Sequence, residues 1–199
     1  MKDDDIKIKI AEVAKAEFVE LGYVDASMRN ISAKAGLTTG SLYNRFRDKA
    51  ELFDFIVGDQ VRNVFDEFQK YNNHYTMNVD KTLINTFETS AIKFLLDKIY
   101  SNFDSFNLII TKGIGSPYED FLDKIIAVAT ENASLYISTK HFGKENPKIA
   151  TDFTHLINVA LFNAIAEMVR KNYSYDEALF YMENLYKFYY AGWTAVIGE

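Results

Sequence analysis

Apolar residues recur at helical spacing along nearly the whole chain. Ile6, Ile10, Val13, Ala14, Phe18 and Leu21 share one face, which predicts a first helix from about Asp5 to Leu21, stopped by Gly22. Ser27 is a good N-cap for a second helix reaching Ala35, and Gly36 ends it at a position that calls for positive φ. Thr38 can cap a third helix over Thr39–Arg45. A broad stripe of Leu52, Phe53, Ile56, Val57, Val61, Val64, Phe65 and Phe68 predicts a fourth helix from Asp48 or Lys49 to about Tyr71. The polar stretch from Tyr71 to Asp80 then reads as a connection. Five more helices are expected at about 80–100, 103–111, 117–138, 148–171 and 174–196, with Gly143 and Pro147 bounding a loop. No run alternates apolar and polar residues between turn signals, so the expected fold is all-α with about nine helices.

Composition changes this picture little. With 199 residues, 48% of them apolar and 25% charged, the chain is globular in composition and long enough for one large domain or two small ones. It has no cysteine, which excludes disulfides and thiolate chemistry. The start, MKDDDIKIKI, is unlike a signal peptide, and no segment stands out as a membrane span; a cytoplasmic protein without membrane contact is expected.

Charge changes it more. The stretch from Ser27 to Lys49 holds Arg29, Lys34, Arg45, Arg47 and Lys49 against one acid, Asp48. Its local charge is +4, so the remainder must carry −10 of the total of −6. Positive charge gathered on one segment of an acidic chain points to a polyanion. Within it, Ile31, Ala35, Leu37 and Leu42 give two short helices a small core, and Ser32 lets them approach. Two helices joined by a glycine turn form a helix-turn-helix, although a helical hairpin in an ordinary core has the same outline. The exposed face of the third helix, Thr39, Ser41, Tyr43, Asn44 and Arg45, carries hydrogen-bonding groups suited to phosphates and base edges.

The segment resembles the DNA-binding domain of the TetR family of bacterial transcriptional regulators. The resemblance rests on Ile10, Ala14, Phe18, Gly22 and Tyr23, then on Ile31, Ala35, Gly36, Leu37, Thr38, Gly40, Ser41, Leu42, Tyr43, Phe46, Lys49 and Leu52, without insertions. It implies that Ser27 and Thr38 cap helices at phosphates, that Tyr43 and Lys49 touch the backbone, and that Thr39, Ser41 and Asn44 read bases. Arg29 adds a cation. Arg45 stands where the family often has an aromatic, and Thr39 where it often has lysine or arginine, which leaves the operator sequence open. The implied division is a DNA-binding domain at 1–48 and a helical effector-binding and dimerisation domain at 49–199.

Beyond Asp80 the resemblance is one of architecture only. The segment His155–Val169 is apolar nearly all round, and Leu179, Met182, Leu185, Tyr186, Tyr189 and Trp193 line a further stripe. Such helices are deeply buried or used on two faces. The resemblance implies a homodimer through them, with Leu156, Val159, Ala160, Leu179, Met182, Tyr186, Tyr189 and Trp193 at the interface. It also implies a largely apolar small-molecule effector. Candidate lining residues are Phe87, Phe94, Tyr100, Phe103, Phe106, Phe121, Tyr136 and Phe162, with Asn163 and Glu167 as polar anchors, although aromatics at helical spacing are more often core.

No enzyme is expected. His74, His141 and His155 lack metal-ligand spacing, Gly113 and Gly115 form a turn rather than a phosphate cradle, and no nucleophile elbow occurs; neither catalytic residues, metal nor cofactor is assigned. The leading expectation is a regulator that binds a double-stranded DNA operator, a repressor released by its effector. The alternative is a DNA-binding interaction or nucleoid-organising module without an effector.

Overall fold

The helical periods translate into helices almost without exception. The computed structural model describes residues 3–77 and 90–197, among which ten helices and no strand occur. They are α1 (Asp3–Asp25), α2 (Met28–Lys34), α3 (Thr39–Tyr43), α4 (Lys49–Met77), α5 (Ala91–Ser101), α6 (Phe103–Lys112), α7 (Phe121–Ile137), α8 (His141–Glu145), α9 (Pro147–Arg170) and α10 (Tyr175–Ile197).

Three boundaries differ from expectation, each for a local reason. The helix α4 continues through the Asn-rich stretch to Met77, because nothing there breaks a helix; Asn72 even donates its side-chain amide to the Val128 carbonyl at 3.2 Å. Pro117 does not begin a helix: residues 117–120 form turns and α7 starts at Phe121. The supposed loop between Gly143 and Pro147 contains a single helical turn, α8. There Gly143 packs its backbone onto the Ile137 carbonyl, which an added Cβ would meet at 2.1 Å.

The chain divides into two compact units. The first runs through Asn63 and adds Asn102–Asp120, so it contains α1 to α3, the first half of α4, and α6. Its core is Ile10, Ala14, Phe18, Ile31, Ala35, Leu42, Phe46, Leu52, Phe53 and Val57, each no more than 2% exposed. Phe18, Tyr23 and Phe53 pack together, with ring centroids 5.0 to 5.9 Å apart. In α1 the helix breaks at Gly22 (φ 83°), as its sequence anticipates, and then makes one more turn.

One buried charge ties α1 to α2. Glu17 is 1% exposed, and its Oε2 accepts from Lys34 Nζ at 2.6 Å. The lysine bond, assisted by the Asn30 side chain and the Ser27 backbone, outweighs the burial that opposes ionisation, so the carboxyl lies below its ordinary value of 4.5.

The second unit comprises Val64–Ser101 and the chain from Phe121 onward. Here α7 lies along α9, and α10 packs on both α9 and α5. Leu95, Leu96, Ile99, Ile125, Phe162, Ile165, Ala166 and Met182 are its buried centre. Contrary to expectation, one stretch does meet the length and composition of a membrane span. It is Pro147–Arg170, with a mean hydropathy of 1.3 over an 18-residue window, because its charges gather towards the helix ends. Of that window 39% is buried in the single chain.

The α10 stripe is shifted from its expected phase. Met182 is fully buried in its own unit, so it is core and unavailable to a partner. Phe180 and Phe188, which lie off the expected stripe, are 72% and 73% exposed, and Leu156 on α9 is 62% exposed. Leu179, Tyr186, Tyr189, Trp193 and Val159 are half-buried, Trp193 edge-on to Phe153, and Ala160 is exposed.

The Glu17 clamp makes a pH prediction. A carboxyl depressed by folding stabilises the head above its unfolded value of about 4.5, and that contribution is lost as pH falls through the lower folded value. Glu17→Gln should therefore unfold at a lower temperature than the parent at pH 7, and the gap should narrow below about pH 4, as followed by circular dichroism.

Candidate nucleic-acid interface

Helices of seven and five residues need strong ends. The end of α2 is a Schellman motif: Leu37 N–H donates to the Ser32 carbonyl at 2.9 Å and Gly36 N–H to Ala33 at 3.0 Å, with Gly36 at φ 70°. Thr38 then caps α3 in extended geometry, its Oγ1 accepting from Ser41 N–H at 3.1 Å. Ser32, 2% exposed, joins the pair of helices: its hydroxyl donates to the Arg29 carbonyl at 2.8 Å and lies 3.3 Å from Thr39 Oγ1. Leu42 points into the core, fully buried. Around Gly40, on α3, a Cβ would meet nothing within 4 Å.

This arrangement leaves a defined outer face. Thr38, Thr39, Asn44 and Arg29 are exposed, and Tyr43 is 49% exposed. Ser27 starts α2 in extended geometry, and its side chain makes no capping bond, so the hydroxyl remains available for a ligand.

The cations behave differently from a simple basic patch. Lys34 is engaged by Glu17, with Glu20 3.5 Å away. Arg47 pairs with Asp48 at 3.1 Å. Arg45, in the turn after α3, folds back along that helix, its Nη1 donating to the Ser41 carbonyl at 2.9 Å and to Ser41 Oγ at 2.8 Å. Its Nε lies 2.9 Å from Asp3 Oδ1, a charge contact rather than an aligned hydrogen bond. Lys49 donates to the carbonyls of Val24 (2.8 Å) and Ala26 (3.1 Å), with its ammonium 4.6 Å from the Tyr23 ring centroid. Burial lowers its pKa. Among the described residues, Arg29 alone of the five has no charged or carbonyl partner.

Two assignments therefore shift in emphasis. Ser41 and Arg45 engage each other instead of standing free on the outer face. Lys49 holds the corner between α1 and α2, where it neutralises carbonyl ends exposed by the Gly22 break. Neither partner set was legible in the sequence. The Val24 and Ala26 carbonyls are main-chain groups, and Asp3 lies 42 positions from Arg45, at a helix start where acids already have a local reason to be.

The candidate effector residues that are described divide between the two units. Phe87 lies outside the described residues. Phe103 and Phe106 belong to the first unit, while Phe94, Tyr100, Phe121, Tyr136 and Phe162 belong to the second. Phe106, Phe121 and Phe162 are at most 4% exposed and serve as core. Phe94 stacks on Tyr71, and the Tyr100 hydroxyl donates to the Tyr173 carbonyl at 3.1 Å. Asn163 is exposed, and Glu167 pairs with Arg170 and Lys171. A small cavity of about 60 Å³ lies elsewhere, between Ser134, Ile137, Gly143, Pro147 and Thr151.

The Lys49 geometry is testable. Lys49→Met leaves two carbonyls without their charged donor, so it should destabilise the chain by about 1.5–3 kcal/mol in urea unfolding. DNA binding by the folded fraction should keep the parent's salt slope, whereas loss of a phosphate contact would make it shallower by about 0.9.

Residues 10–56 match the family model for bacterial regulatory proteins of the tetR family, and thus cover the whole helix-turn-helix, its lead helix from Ile10 onward and the start of α4. No curated protein matches the chain. Among solved structures, a candidate TetR-family transcriptional regulator of Mesorhizobium loti MAFF303099 is similar at 17% identity. The similarity covers 92% of this chain and 94% of that one, with a TM-score of 0.49. The head is thus of the tetR type, a DNA-binding helix-turn-helix whose match spans about a quarter of the chain.

Proposed function

We propose that this regulator is a repressor that binds its operator as a homodimer and leaves it when a small, largely apolar molecule binds. In this reading residues 1–48 form the reading head, and 49–199 carry the effector and dimer functions. The carrying observation is the outer face of the helix-turn-helix. Arg29, Thr38, Thr39, Tyr43 and Asn44 are exposed together on two helices whose other sides are fixed in the core. Arg29, Ser27, Thr38 and Tyr43 take phosphates, while Thr39 and Asn44 face base edges, and Ser41 joins them if Arg45 lets go of it. Lys49 acts by positioning the corner behind α2.

The dimer is supported by exposed apolar side chains that a single chain leaves in water: Leu156 on α9 and Phe180 and Phe188 on α10. Positions 180, 184, 188, 191 and 195 fall on one helical stripe, and all are exposed. A two-fold pair of heads meets two half-sites on one face of the duplex.

Release by an effector needs a molecule that favours one conformation over another. The second unit's apolar interior is the proposed site. The alternative is a DNA-binding interaction or nucleoid-organising module that has no effector.

Selection of bound duplexes from a random pool tests the reading. The enriched sequence should bind about 10³-fold or more tighter than random duplex at physiological salt, and equal affinity would overturn the regulator reading. Arg29→Ala should weaken binding to all sequences and reduce the salt slope by about 0.9, whereas Asn44→Ala should relax preference at one base position. Paired Phe180→Asp and Phe188→Asp substitutions should give monomers in sedimentation velocity with helicity retained; an unchanged dimer would rule out this face.

A further inference from the structure

The contact between Asp3 and Arg45 has no need to exist for either residue's local structure. Asp3 belongs to the first turn of α1 with Asp4 and Asp5, where the helix macrodipole alone favours acids. Arg45 already has two bonds to Ser41 in its own helical segment. Yet Nε of Arg45 and Oδ1 of Asp3 lie 2.9 Å apart, and the arginine side chain is only 18% exposed while the aspartate is 61% exposed. A carboxylate on the lead helix thus sits against a guanidinium of the DNA-reading segment.

An ion pair with one partner largely in water is weakly held and readily exchanged. A phosphate oxygen is the natural replacement, since guanidinium binds carboxylate and phosphate with the same planar fork. A duplex docking on α3 brings phosphates towards that segment. Asp3 must then either surrender Arg45 or remain as a negative charge beside the polyanion, and in both cases its presence costs affinity.

We propose that Asp3 is an affinity-determining residue for DNA: it occupies Arg45 in the place of a phosphate, so that the first turn of α1 holds the head's affinity and salt dependence down. The inference rests on the DNA-binding reading above. It also accounts for the charge balance of the head, in which a segment of net +4 presents one unengaged cation; Arg45 is a second, held in reserve by an acid from outside the segment.

The test uses the full chain and the duplex enriched from the random pool. Dissociation constants are measured from about 50 to 200 mM salt for the parent, Asp3→Asn, Arg45→Gln and the double variant. Asp3→Asn should bind roughly fivefold tighter at physiological salt, with a slope steeper by about 0.9 for each further phosphate that the freed arginine neutralises. In the Arg45→Gln background the same substitution should have little effect. Unchanged or weaker binding by Asp3→Asn overturns the proposal. So does an equal rise in affinity in both backgrounds, which would mean general repulsion rather than release of Arg45. If Arg45→Gln does not fold, the slope of Asp3→Asn alone decides: tighter binding with the parent's slope overturns the proposal. A parent chain that prefers no duplex sinks the regulator reading itself, an outcome visible before any variant is made.

Discussion

Helices of seven and five residues cannot sustain themselves in water, and everything at the DNA-binding end follows from that constraint. They persist because Ile31, Ala35 and Leu42 are buried in the core of the first unit, where Phe18 of α1 meets Phe53 of α4. Their ends are fixed independently, by the Gly36 Schellman motif and the Thr38 cap. The core side is therefore fully committed, and the opposite side is free to carry whatever recognition requires.

Electrostatics in the head has the same division of labour. Lys34, Arg47 and Lys49 have partners within the fold: a buried carboxylate, the neighbouring Asp48 and two open carbonyls. Arg29 and the exposed hydroxyls of the outer face are left for the recognition proposed above. A count of basic residues overstates the field that DNA would meet, because most of those charges are already spoken for.

Much of the head was legible in the sequence. Gly36 adopts the positive φ that its place after a helix implied, Gly22 interrupts α1 where a stop was expected, and Ile10, Ala14, Phe18, Ile31 and Leu42 are buried as their period required. Local chemistry dictates such features, so a local pattern reveals them. Long-range partners were not legible: Asp3 with Arg45 and Glu17 with Lys34 depend on how helices pack. In the second unit the near-continuous apolar character of α9 and α10 blurred the phase. Met182 and Phe180 differ by two positions, which on a helix separates core from solvent, and composition alone does not choose between them. Of the aromatic residues assigned to a pocket, Phe106, Phe121 and Phe162 are core for the same reason.

Gly40 has a consequence of its own. It sits inside a five-residue helix, where alanine would add about 1 kcal/mol of helix stability, and a methyl group there would touch nothing. The neighbouring glycine at 36 answers to a torsion angle, but Gly40 answers to neither torsion nor volume within its own chain. Its bare backbone leaves a notch one methyl deep on the outer side of α3. The fold is better off without that notch, so its usefulness lies in how near another molecule's surface can come to the main chain there.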